Sequence, residues 1–150
     1  MKYLFLLTLA VFCMVPPSAI AKDKGEALTA KQMNKIFIGE TLIGEYRFNM
    51  GVTDAPNFTE EFLTNGTTLY REGPIDIKGR WKTYDKTICY TYGQKSPIGG
   101  GLNCFWVRES NGCFYGYAYP ETPDKPEFYD DWLTRSVIKG SGNSCGEPIS

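Results

Sequence analysis

The sequence predicts a mainly antiparallel β fold. We expect a twisted meander or partly closed small barrel of about seven or eight strands, carrying one short N-terminal helix. Three observations lead there. Hydrophobic residues alternate with period two over most of the chain after Gly39. Two-residue turn signals, Asn65-Gly66, Asp85-Lys86 and Asn111-Gly112, divide these runs into hairpins. Only one stretch, near the N-terminus, shows helical spacing.

The chain has 150 residues, which suits a single domain. Residues 1–21 read as an export signal: Lys2, then an apolar run from Tyr3 to Val15, then Pro16-Pro17 and the small-x-small stretch Ala19-Ile20-Ala21. The run is short for a membrane span, and cleavage after Ala21 is expected. Cys13 as a lipid acceptor is disfavoured by the bulky Phe12 before it. The expected domain is residues 22–150, with no transmembrane segment and an exported, periplasmic or extracellular location.

Elements follow in order. Thr29 is a good N-cap and Gln32 completes a capping box, with Leu28 and Met33 at the staple positions. Met33, Ile36 and Phe37 recur at helical spacing, and Gly39 is a natural stop. Leu42, Gly44, Tyr46 and Phe48 then alternate with Ile43, Glu45 and Arg47 as a half-buried strand. A two-residue turn at Asn65-Gly66 sets Phe62 opposite Leu69 and Glu60 opposite Arg71. A second hairpin turns at Asp85-Lys86 and sets Lys82 opposite Cys89 and Arg80 opposite Thr91. A third turns at Asn111-Gly112 and sets Arg108 opposite Tyr115 and Trp106 opposite Tyr117. GQKSPIGGG and the Pro-rich PETPDKPEF are loops, and DDWLTRSVIKG reads as a last strand with a short helix as the alternative.

Pairing Cys89 with Cys104 joins the second and third hairpins and sorts their side chains. One face then carries Trp81, Ile88, Tyr90, Phe105, Val107, Phe114 and Ala118, a core. The other carries Arg80, Lys82, Trp106, Arg108, Tyr115 and Tyr117, a mixed aromatic and basic surface. Four cysteines follow the export signal, an even number in a small exported domain, which argues for two disulfides. A Cys104–Cys113 bridge is excluded: the two lie six residues out of register in one hairpin, and at ~3.4 Å per residue that is far beyond the ~7 Å Cα limit. Of the two remaining sets we prefer Cys89–Cys104 with Cys113–Cys145. A four-cysteine zinc site lacks the usual paired spacing.

Chemistry is sparse. No histidine occurs, so a His-based triad, a His general base and a His-ligated metal are excluded. Sixteen Lys plus Arg against 17 Asp plus Glu give no electrostatic reason for a nucleic-acid partner. Ser136-Val137-Ile138-Lys139 matches S-x-x-K but lacks its companion motifs. Glu121, Asp124, Glu127, Asp130 and Asp131 cluster without calcium-loop spacing, and the solvated-loop reading is favoured over a glycosidase pair. Asn57-Phe58-Thr59 and Asn65-Gly66-Thr67 are read as turn chemistry rather than glycosylation sites. No catalytic residue, metal ligand or cofactor is assigned. Trp106, Arg108, Tyr115, Tyr117 and Arg80 form the candidate binding surface, because Arg interleaved with amphipathic aromatics suits proteins and sugars. A covering tail or linker is the competing structural role for that face.

LTAKQMNKIFIGETLIG, GRWKTYDKTICY and NCFWVRESNGCFYGY, in that order behind an export signal, resemble the proteobacterial domain-of-unknown-function 995 family. The matching positions are Gly79, Trp81, Cys89, Cys104 and Phe105, within a likeness running from Leu28 to Tyr119. Cys113, Cys145 and the acidic linker lie outside its pattern. The resemblance implies an exported protein and carries no assigned activity. The expected function is therefore non-enzymatic binding of a protein or glycan of the cell envelope. A hydrolase using the acidic cluster and a barrel carrying a small apolar ligand are the alternatives.

Overall fold

The computed structural model describes residues 26–47, 57–93, 100–119 and 132–146. The expected export signal, the acidic cluster 121–131 and Phe48 lie outside the described residues.

Eight antiparallel strands close into a barrel, each pairing with its sequence neighbours and the last with the first. They are β1 (Thr41–Tyr46), β2 (Asn57–Phe62), β3 (Thr67–Glu72), β4 (Ile75–Tyr84), β5 (Thr87–Tyr92), β6 (Leu102–Ser110), β7 (Cys113–Ala118) and β8 (Thr134–Ile138). The segment read as strand or short helix is thus strand β8. Closure leaves no edge strand to template association, and it gives every strand an inner and an outer face.

The helix α1 (Ala30–Phe37) begins and ends where its local chemistry dictates. Thr29 accepts from the Gln32 N–H, Gln32 returns the bond to the Thr29 backbone, and Gly39 turns left-handed at φ +84°. Leu28, Met33 and Phe37 are buried and plug one end of the barrel against Phe62, Ile88 and Phe114. The helix is pinned there by Asn34, whose Oδ1 accepts from Thr83 at 3.1 Å, and by the Gly39 N–H, which donates to the Phe62 carbonyl at 2.7 Å.

The second and third hairpins have the expected registers. Lys82 faces Cys89, Arg108 faces Tyr115 and Trp106 faces Tyr117. Cys89 pairs with Cys104 across β5–β6 and is bonded to it, and Cys113 is bonded to Cys145. The face expected as core points into the barrel.

The β2–β3 hairpin differs from expectation by one residue. Phe62 faces Thr68 rather than Leu69, and Glu60 faces Tyr70 rather than Arg71. The loop has three residues, not two. The Gly66 N–H donates to the Leu63 carbonyl at 3.0 Å, Gly66 takes the left-handed φ of +75°, and the Leu63 N–H donates to Thr67. That is a type I turn followed by a left-handed residue, which adds one residue to the strand end. A one-residue slip exchanges faces. Here it turns Leu69 and Arg71 outward and brings Thr68, Tyr70 and Glu72 inside with Glu60.

Candidate functional site

The barrel interior has two storeys. Beneath α1 it is apolar and closely packed. Toward the far end, Phe58, Tyr70 and Tyr92 are buried, with Tyr46, Ile77 and Tyr90 packed against them. Their rings form a continuous chain: Tyr46 to Phe58 at 4.9 Å between centroids, Phe58 to Tyr70 at 5.8 Å, Tyr70 to Tyr92 at 5.9 Å, and Tyr92 to Tyr90 at 6.3 Å. Two glycines make room for it. A Cβ on Gly44 would collide with the Phe58 ring, and one on Gly79 would meet the Tyr92 ring at 2.5 Å. Each ring therefore occupies the space beside a glycine on the neighbouring strand.

A cavity of about 190 Å³ opens between the storeys. Apolar side chains, Phe37, Ile88, Val107 and Phe114 among them, line its helix end, and Glu60, Tyr70, Tyr90, Tyr92 and Asn103 line the other. β2 delivers Glu60 because Phe58, Glu60 and Phe62 share the inward parity of that strand.

Glu60 is only 4% exposed. The Tyr92 hydroxyl donates to its Oε2 at 3.0 Å, and Thr68 Oγ1 contacts its Oε1. Thr68 Oγ1 donates there and also reaches the Glu61 carbonyl at 2.9 Å. Among the described residues no lysine or arginine pairs with Glu60. Burial pushes its carboxyl from the ordinary 4.5 up to about 7, against the hydrogen bonds from Thr68 and Tyr92. Beside it Tyr70 donates to Glu72, so Tyr46, 2.9 Å from Tyr70, must donate to Tyr70. Burial raises the Tyr46 phenol to about 12 and raises Tyr70, Tyr90 and Tyr92 as well. The storey is thus a wall of neutral phenols around a carboxyl that changes charge near neutrality.

The residues expected as a binding surface lie outside the barrel. Trp106 and Tyr115 are half-buried and Arg80 is exposed. Arg108 and Tyr117 are buried, at 1% and 6% exposure. Ala27 bridges Arg108 where β6 outruns β5, and Trp132 meets Tyr115 edge-on at 6.2 Å. Register places Trp106, Arg108, Tyr115 and Tyr117 together on β6 and β7. Arg80 stands apart on β4, level with Thr91 and Leu102. Among the described residues no group of three or more Cys, Asp or Glu is placed to hold a metal ion, and no helix is long and apolar enough to cross a membrane.

Residue reading missed the inner storey. The signal was present, since strand period two places Glu60 on the face of Phe58 and Phe62. The assumed two-residue turn, however, matched Glu60 with Arg71 and gave the carboxylate a surface partner. No protein-family model, curated protein or solved structure matches the chain.

Proposed function

We propose that the protein is a non-enzymatic carrier or receptor that holds one small, largely apolar ligand inside its barrel. The observation that carries this reading is the cavity of about 190 Å³, which the packing leaves between the apolar plug and the tyrosine storey. Native interiors fill such space when nothing is to occupy it. Its size sets the ligand class: a cavity of ~150 Å³ accepts benzene, whereas drug-sized ligands need ~300 Å³ or more. One ring with a short substituent fits, and a lipid chain does not. Apolar walls supply the affinity and the few polar groups at one end supply orientation. The outer aromatic and basic face offers less to a partner, because Arg108 and Tyr117 are buried.

An exported location belongs to this proposal. Two disulfides in a domain of this size suit an oxidising compartment, and the first 21 residues have the pattern of an export signal. The ligand is then a small molecule of the envelope or its surroundings.

Val107 lines the cavity and projects from β6 opposite Gly116, so Val107→Phe tests the reading by filling the space. We expect benzyl alcohol to raise the thermal midpoint of the parent and to leave that of Val107→Phe unmoved, with both proteins folded. Equal shifts in the two would place binding elsewhere and defeat the proposal.

A further inference from the structure

Resting on the reading of the barrel as a ligand carrier, we propose that its ligand is a small organic cation, an amine on a single apolar group, held by Glu60 within the ring of tyrosines.

Four features converge on this. The interior places a carboxyl at 4% exposure whose partners among the described residues are neutral hydroxyls, so a positive charge is the complement those residues leave for a ligand to bring. An ionised carboxylate is strongly disfavoured at such a site unless a cation arrives with the ligand. The surrounding surface is made of aromatic faces, the environment in which a desolvated ammonium is best held. Tyr90 and Tyr92 lie parallel at 2°, 6.3 Å apart, on the strand that also brings the Tyr92 hydroxyl to Glu60. The opposite end of the cavity is apolar, which gives the body of the amine its own half of the space. An anion would meet Glu60 and the electron-rich ring faces, and a neutral ligand would leave an ionised Glu60 without charge compensation.

Binding and protonation are then linked. Among the described residues the titratable groups facing Glu60 are Tyr46 from β1, Tyr70 and Glu72 from β3, and Tyr90 and Tyr92 from β5. The tyrosines are all held above their ordinary range and stay neutral below pH 9. Among these groups Glu60 is therefore the one that responds near neutrality. An ammonium favours the ionised carboxylate, so amine affinity rises as pH passes upward through about 7.

Benzylamine, benzyl alcohol and benzoate, near-equal in size and different in charge, are titrated calorimetrically into the oxidised protein at pH 5.5, 7 and 8.5. An aliphatic amine, with a pKa of about 10, stays protonated throughout. We expect benzylamine to bind at least ~10-fold more tightly than benzyl alcohol at pH 8.5, that preference to shrink toward pH 5.5, and benzoate not to bind. Glu60→Gln, which keeps the shape and an acceptor oxygen, should remove the preference while retaining benzyl alcohol. The pH profile of the parent protein needs no variant and decides the matter even if Glu60→Gln does not fold. Equal affinities for amine and alcohol, or a preference without pH dependence, would overturn the cation assignment and leave the carrier reading standing. No binding by any of the three would overturn both.

Discussion

At the scale of single residues, Glu60 is the most consequential side chain of the interior. Its carboxyl ionises near 4.5 in the unfolded chain and near 7 in the folded one. The sign follows from proton counting. Below about pH 4.5 both states hold the proton and the native contribution is fully present. Between about 4.5 and 7 only the unfolded state releases it, so stability falls, and above about 7 the loss is complete. At roughly 1.4 kcal/mol per pK unit, the loss is on the order of 3 kcal/mol. Glu60→Gln cannot ionise. Urea unfolding of both proteins at pH 4, 6 and 8 should show the variant gaining on the parent as pH rises. Curves that stay parallel would mean that Glu60 titrates alike in the folded and the unfolded chain. The inward parity of Glu60 was legible in the sequence, since it lies two residues from Phe58 and two from Phe62. Its partners were not, because Thr68, Tyr70 and Tyr92 reach it only once the register of β2–β3 and the closure of the barrel are known.

At the scale of elements, local chemistry settled most boundaries. The Thr29–Gln32 capping box, the left-handed Gly39 and the Asn111-Gly112 turn all lie within a few residues of what they control. The Leu63–Thr67 turn shows the limit of such reading. Asn65-Gly66 suits a two-residue turn and a three-residue one alike, and the difference is one hydrogen bond, from Gly66 to Leu63. The choice goes to the register that buries Tyr70 and exposes Arg71, a comparison of interior against solvent that no turn motif encodes. Gly79 in β4 carries a related prediction. Glycine-to-alanine changes in extended backbone ordinarily stabilise by ~0.4–1 kcal/mol through the unfolded chain. Here the new methyl group would meet the Tyr92 ring at 2.5 Å and the Thr91 carbonyl at 2.9 Å. We expect Gly79→Ala to destabilise by roughly 1–3 kcal/mol in urea unfolding, the usual range for overpacking. It should also weaken ligand binding by displacing the Tyr92 hydroxyl from Glu60. A stabilised variant would show that the ring can leave its place over Gly79 without cost.

At the scale of the whole molecule, the barrel is closed by β8, which pairs with β1 over five residues and with β7 over three. The Cys113–Cys145 bridge backs the shorter seam: it fastens the segment after β8 to β7 and closes a loop with a sequence separation of 32, against 15 for Cys89–Cys104. Chain-entropy arguments assign the longer loop a contribution on the order of 3–4 kcal/mol. Cys113→Ser with Cys145→Ser should therefore lower the thermal midpoint more than Cys89→Ser with Cys104→Ser, in scans of the two double variants beside the parent. The reverse order would locate the weak seam at β5–β6. The sequence alone determined the class of fold, the single helix with its caps, the pairing of two hairpins, the preferred disulfides and the aromatic residues that face inward from β4 to β7. Each of these depends on interactions between near neighbours or on a strict period of two. Only the tertiary structure decided that β8 returns to β1, that Arg108 and Tyr117 are buried on the outside, and that Glu60 faces four tyrosines across a cavity. Those outcomes compare burial summed over strands that are distant in sequence, and closure supplies the inner surface on which that comparison is made.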